Sequence, residues 1–183
     1  MAYIQPKPLS EYPWPVRWVL KRQIRVYGEV LPPAFLWGRR PGLFFGLLAM
    51  LGVFSRPRFP ILAEMRALAS IRIAQLNGCH FCVDLNAHLY LEAKGQADKA
   101  KQVAKWASTQ DVFNEKEKAI LRYAEAMTED CASINASSIE ALRTHFSDDE
   151  ITALTAWVAF QNMSAKFNTA LGAEPHGFCE IPQ

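Results

Sequence analysis

The sequence predicts an all-α protein, and three observations carry that expectation. Beyond residue 60, apolar side chains recur at helical spacing, as in I-L-A-E-M-R-A-L-A-S-I-R-I-A-Q-L over 61–76. Three later segments open with candidate capping boxes: Asn114 with Glu117, Ser137 with Glu140, and Ser147 with Glu150. No stretch shows the apolar–polar alternation of a half-buried strand bounded by turns.

Taken in order, the elements fall into two regions. Nine of the eleven prolines lie within residues 1–60 and cut this part into short helices, 15–30 and 41–54, joined by turns. Residues 1–60 are therefore expected to form a Pro-rich, basic N-terminal arm that contributes to subunit contacts. Residues 61–183 form the helical domain proper. Its first helix, 61–76, carries Glu64 and Arg72 off the apolar face and ends at Asn77-Gly78, two residues that accept a left-handed backbone. A second helix runs over 79–94 and stops at Gly95, and the last runs over 148–171 and stops at Gly172. Trp106, Trp157, Phe160 and Phe167 read as core residues. Asn162 and Asn168 interrupt the apolar pattern of the last helix; buried amides need partners, and one of the two is a candidate to face a functional pocket.

A chain of 183 residues, half of it hydrophobic and 21% charged, is long enough to bury a core as one domain. The net charge of +2 is unevenly spread: residues 1–60 hold nine Lys or Arg against two acids, and the remainder is net acidic. That asymmetry suits a basic arm folded over an acidic body, in the same chain or a neighbouring subunit, or contact with an anionic surface. The basic residues surround no nucleic-acid-binding motif, so no nucleic acid is expected as a partner. The longest apolar run, L-F-F-G-L-L-A-M-L-G-V-F over 43–54, has twelve residues, whereas a spanning helix needs about 20. It fits a buried core or subunit interface, or a surface contact flanked by Arg39, Arg40, Arg56 and Arg58, but not stable membrane insertion. With no secretory signal pattern, a cytoplasmic location is expected.

The chemistry-bearing stretch is L-N-G-C-H-F-C-V-D-L-N-A-H-L over 76–89. Of four cysteines, Cys131 and Cys179 are isolated and only Cys79 and Cys82 form a close pair, a usage typical of reducing compartments. Three residues apart on a helix, they share a face and can close a disulfide. A helix starting after Gly78 aims free N–H groups and a partial positive charge at its first turn, which favours thiolate, the reactive form. On this ground Cys79, nearer the helix start, would be the nucleophile. His80 lies between the two cysteines, where an imidazolium would stabilise a thiolate. Glu64, Asp84 and His88 are further acid–base candidates, although Asp84 and His88 lie roughly 200° and 240° round the helix from Cys82. Asn86, on the face of Cys82, can donate a hydrogen bond but cannot carry a proton.

The stretch R-A-L-A-S-I-R-I-A-Q-L-N-G-C-H-F-C-V-D-L-N-A-H, with the A-K-G helix end that follows, resembles the carboxymuconolactone decarboxylase family and, within it, the AhpD-like alkylhydroperoxidase branch. The resemblance spans residues 64–95. It implies an all-helical bundle, homo-oligomers such as trimers or hexamers, and thiol-dependent reduction of peroxides with a dithiol reductant and no cofactor. It also implies that Cys82 attacks peroxide and Cys79 resolves the product. Two positions depart from the pattern: the relay Glu is Ala67 here, and the relay His is Asn86. Other readings stay open beside this one, the first being a disulfide oxidoreductase that performs plain dithiol–disulfide exchange through Cys79 and Cys82. Cys79, Cys82, His176 and Cys179 would supply four zinc ligands of suitable type, and Cys79 and Cys82 would also suit a non-catalytic helical scaffold as small buried residues.

Overall fold

The computed structural model describes residues 2–178, with only the backbone at Gln110. Among these residues the regular structure is helical, without a strand. The elements are α1 (Trp14–Tyr27), α2 (Pro32–Gly38), α3 (Pro41–Phe54), α4 (Ala63–Leu76), α5 (His80–Glu92), α6 (Ala97–Gln102), α7 (Glu115–Glu129), α8 (Ala136–Arg143) and α9 (Asp148–Ala170). The all-α expectation holds. Residues 32–38, expected as a turn, form α2 because Pro32 and Pro33 occupy its first turn, where a missing N–H costs nothing.

The organising element is α4, which packs on α5, α7 and α9. Seven of its residues, including Ala67, Ala69, Ser70 and Ala74, are buried, and they point in every direction round the axis. A helix apolar all round belongs inside a protein, and small side chains let its neighbours approach closely. On one side, Ile73 joins Ile120, Leu142, Leu154 and Val158 in a core shared with α7, α8 and α9. On the other, Leu68 and Ile71 meet Tyr90, Trp106 and Leu121. Arg72 is not a solvated residue: its guanidinium pairs with Glu125 of α7, which also accepts the Trp106 indole N–H at 2.7 Å.

Residues 1–60 pack onto this body. Tyr12, Val16, Leu20, Trp37 and Phe44 build a core of their own, closed against Phe167 of α9. Trp37 stacks on Phe167 with ring centroids 3.7 Å apart. Helix α3 buries one face, with Phe44, Phe54, Leu47 and Leu51 packed into the core, while Leu43, Phe45, Met50 and Val53 on its remainder are exposed. No helix among the described residues is long and apolar enough to cross a membrane.

Helix ends follow the sequence with three adjustments. The first helix, expected over 15–30, stops at Tyr27 because Gly28 takes a left-handed backbone at φ +81°. The boxes Asn114–Glu117 and Ser147–Glu150 form as read. The Ser137–Glu140 box does not: Asn135 caps α8 instead, because its side-chain oxygen reaches the N–H groups of both Ser137 and Ser138. At the end of α5 the left-handed residue is Lys94 rather than Gly95. Gly95 is required for space, since a Cβ there would lie 2.4 Å from the Tyr90 ring.

The α9 cap is a measurable part of stability. Ser147→Ala is expected to cost about 1 kcal/mol, read by urea denaturation. Glu150 accepts the Ser147 N–H and hydroxyl, which holds its carboxyl below the usual range. Its contribution is therefore present above the ordinary carboxylate pKa and is lost as pH falls through the lower folded value. Glu150→Gln should flatten that acid limb of the stability profile.

Candidate active site

The cysteine pair is placed by the turn between α4 and α5. Gly78 adopts φ +63°, its N–H bonds to the Gln75 carbonyl, and the Cys79 N–H bonds to the Ala74 carbonyl at 2.9 Å. This is the left-handed closure of a helix that only a glycine adopts without strain. Asn77 stays in the right-handed half of the map and acts through its side chain, which donates to the Ile73 carbonyl and to Asn162 Oδ1 on α9. Lys166 bridges Asn77 and Asn162. The chain then turns directly into α5 with Cys79 as N-cap.

Cys79 and Cys82 are joined as a disulfide with Cα atoms 5.2 Å apart, and both are buried. Their surroundings differ. The Cys79 sulfur accepts the backbone N–H of Cys82 at 3.3 Å, the bond an N-cap side chain makes. The Cys82 sulfur receives the side-chain amide of Asn168 at 3.4 Å. Cys82 also lines a cavity of about 230 Å³, and Cys79 is not among its lining residues. The walls are mostly apolar, with Leu31, Trp37, Phe44, Leu51, Phe81 and Leu85 contributing, and Asn86 and Asn168 stand beside Cys82. Among the described lining residues, Cys82 alone would carry an ionisable group once the disulfide is reduced. Such a chamber suits an apolar small molecule oriented by a few polar groups.

The other sequence candidates scatter. His80 is exposed on the first turn of α5 and does not line the cavity. Asn86 is buried and donates to the Cys82 carbonyl at 2.7 Å. Ala67, at the relay Glu position, lies buried on α4 beside a second hollow that Asn86 also borders. Glu64 is half-buried and outside the cysteine cavity. Asp84 is no solvated carboxylate: one of its oxygens accepts the N–H groups of His176, Gly177 and Phe178 at 2.7–3.1 Å, pinning the C-terminal segment to α5. His88 stacks on Phe178 in the same contact. Of the two interrupting amides, Asn168 faces the pocket while Asn162 serves the turn. Trp157 is buried as read, its N–H directed to the Arg66 carbonyl and Ser70 Oγ.

Sequence reading missed Trp37, whose indole N–H donates to Asn168 Oδ1 at 3.3 Å. Nothing local marks it, because it sits 131 positions from its partner. For the zinc reading, Cys179 lies outside the described residues. Among those described, no three His, Cys, Asp or Glu residues converge on a metal position, and the His176 imidazole lies beside the Glu29 carboxylate.

Residues 61–126 match the model of the carboxymuconolactone decarboxylase family. The chain is also 37% identical to YnjA of Escherichia coli (strain K12) over 179 residues, covering 96% of each protein. The chain belongs to the carboxymuconolactone decarboxylase family. Within that family its fold is AhpD-like. It superposes on the alkylhydroperoxidase AhpD core of a peroxidase-related protein from Ralstonia eutropha JMP134 with a TM-score of 0.87 at 20% identity, covering 100% of this chain and 98% of the other. The debrominase Bmp8 shares the fold at a TM-score of 0.74 and 19% identity, over 94% and 91% of the two chains. The family match contains both cysteines, whereas Trp37 and Asn168 fall outside it on either side.

The turn that delivers Cys79 is testable on its own. Gly78→Ala places a Cβ in a left-handed backbone with no neighbour closer than 4.0 Å, so the penalty is conformational. A loss of about 1–2 kcal/mol is expected, and Gly78→Asn should lose less, both read as a shift in the denaturation midpoint.

Proposed function

We propose that this family member is a thiol-dependent peroxidase whose substrate is an apolar organic hydroperoxide. The observation that carries the reading is that Cys82 borders a half-open, mostly apolar cavity that Cys79 does not line, with Cys79 in disulfide contact. The Cys82 thiolate attacks the terminal peroxide oxygen, the O–O bond breaks, and the alkoxide leaves, taking a proton from water to become the alcohol. Cys82 is left as a sulfenic acid, oxidised by two electrons. Cys79, as thiolate at the α5 N-terminus, attacks the Cys82 sulfur; the S–S bond forms and hydroxide departs. An external dithiol restores both thiols by two exchanges. This order departs from the helix-dipole argument, which favours Cys79 as attacker, because access to the cavity belongs to Cys82.

His80 belongs to the reductive half. Exposed at the start of α5 and next to Cys79 in the chain, it stands where an incoming reductant would approach. The site works within a homo-oligomer, trimer or hexamer, whose contacts cover the exposed apolar residues Leu43, Phe45, Met50 and Val53 of α3. A cytoplasmic location supplies the reducing partners this cycle needs.

Peroxide consumption by the dithiothreitol-reduced protein tests the reading. Cumene hydroperoxide should be consumed faster than hydrogen peroxide, with a Cys79–Cys82 bridge seen by mass spectrometry. Cys82→Ser should abolish consumption, Cys79→Ser should accumulate a dimedone-reactive sulfenic acid on Cys82, and His80→Asn should slow re-reduction more than oxidation. Inert peroxides with turnover of a brominated aromatic would replace peroxide reduction by reductive debromination. For the assembly, light scattering should report a trimer or hexamer at micromolar concentration, and Phe45→Glu with Met50→Glu should dissociate it; a monomeric parent protein would remove the α3 interface from the proposal.

A further inference from the structure

The geometry points to Asn168 as a further catalytic residue, the donor that holds Cys82 as thiolate, with Trp37 as the positioning residue that sets its polarity. This rests on the reading of Cys82 as the attacking sulfur. An asparagine amide has an accepting end and a donating end, and which end meets the sulfur decides its effect. An indole nitrogen can only donate. Since Trp37 Nε1–H points at Asn168 Oδ1 at 3.3 Å, the amide oxygen is committed to Trp37 and the NH₂ group is left for Cys82 Sγ at 3.4 Å. Both residues are buried, and the Trp37 ring is itself held by its stack on Phe167. The amide therefore has little freedom to flip.

A buried thiolate needs stabilisation that water no longer supplies. The ionisable groups on the elements around Cys82 have other surroundings. Tyr90 of α5 packs with Trp106, Glu64 of α4 lies outside the cavity, and Arg66 of α4 donates to the Phe54 carbonyl. On α5, Asp84 accepts the 176–178 backbone, His80 is exposed, and His88 stacks on Phe178 beside Glu92. Lys166 of α9 binds Asn77 and Asn162, Arg72 of α4 pairs with Glu125, and His176 of the C-terminal segment lies beside Glu29. Cys79 takes the Cys82 backbone N–H, and Asn86 donates to the Cys82 carbonyl rather than to its sulfur. The amide of Asn168 is thus the side-chain donor aimed at the attacking atom. It stabilises charge without carrying a proton, which suits a site with Ala67 and Asn86 at the family's relay positions. It also makes the N-terminal region part of the active site, because Trp37 comes from α2.

The test reads Cys82 ionisation directly. In a Cys79→Ser background, iodoacetamide labelling of Cys82 is followed across pH by peptide mass spectrometry, which separates it from the exposed Cys131. Asn168→Ala should raise the labelling midpoint by about one pH unit. Asn168→Asp, which puts a negative charge in place of the donor, should raise it at least as far. Trp37→Phe keeps the ring stack but frees the amide, so it should give a smaller rise in the same direction, and it decides the matter if Asn168→Ala does not fold by circular dichroism. Unchanged midpoints in Asn168→Ala and Trp37→Phe would overturn the assignment, as would a shift confined to Asn168→Asp, which reports charge alone. The peroxidase reading fails separately, if the parent protein forms no Cys79–Cys82 bridge with peroxide; the midpoint comparison does not depend on that outcome.

Discussion

The left-handed turn at Gly78 is the constraint on which the functional part of this molecule depends. Without it α4 would run on, and Cys79 would be an interior helical residue rather than an N-cap. With it, the Gln75 and Ala74 carbonyls are closed by the Gly78 and Cys79 N–H groups, and α5 starts at once in a new direction. The turn is also tied sideways, through Asn77 to Asn162 and Lys166 of α9. Because α4 is buried all round, its end is a fixed reference, and α5 inherits that rigidity. The two sulfurs then occupy unequal places for a geometric reason: the N-cap sulfur is engaged by its own helix, and the sulfur one turn later is free to meet other elements.

What Cys82 meets is an apolar chamber with amides as its polar furniture near the sulfur. A mostly apolar cavity of this kind suits a hydrophobic molecule. Its described lining residues include no acid. The positions where the family resemblance implies a Glu and a His carry Ala67 and Asn86, and each has settled into a structural part, one packed in the core and one bonded to the backbone of α5.

The long helix α9 joins these features. Its N-terminus is fixed by the Ser147–Glu150 box, its middle supports the α4–α5 turn through Asn162, and its last turn presents Asn168 to the sulfur and Phe167 to Trp37. Asp84 completes the frame from the opposite side of α5 by holding the C-terminal segment through three backbone N–H groups. Asn162, Asn168 and Asp84, polar residues within apolar helices, are thus each matched to a partner elsewhere in the fold.

The sequence by itself determined the helical class, most helix boundaries, the Asn77-Gly78 break and the pairing of Cys79 with Cys82. These depend on interactions within a few residues: spacing along one face, a side chain reaching its own backbone, a glycine relieving a local clash. It also narrowed the pocket amide to Asn162 or Asn168, since a polar group in an apolar stripe needs a partner. Only the tertiary structure decided which of the two it is, that Cys82 and not Cys79 faces the cavity, and that Asp84 holds the C-terminal segment instead of lying in solvent. It alone brought Trp37 to the site, across 131 positions of chain. Such pairings are set by how helices pack, and no periodicity within one segment encodes the distance to another.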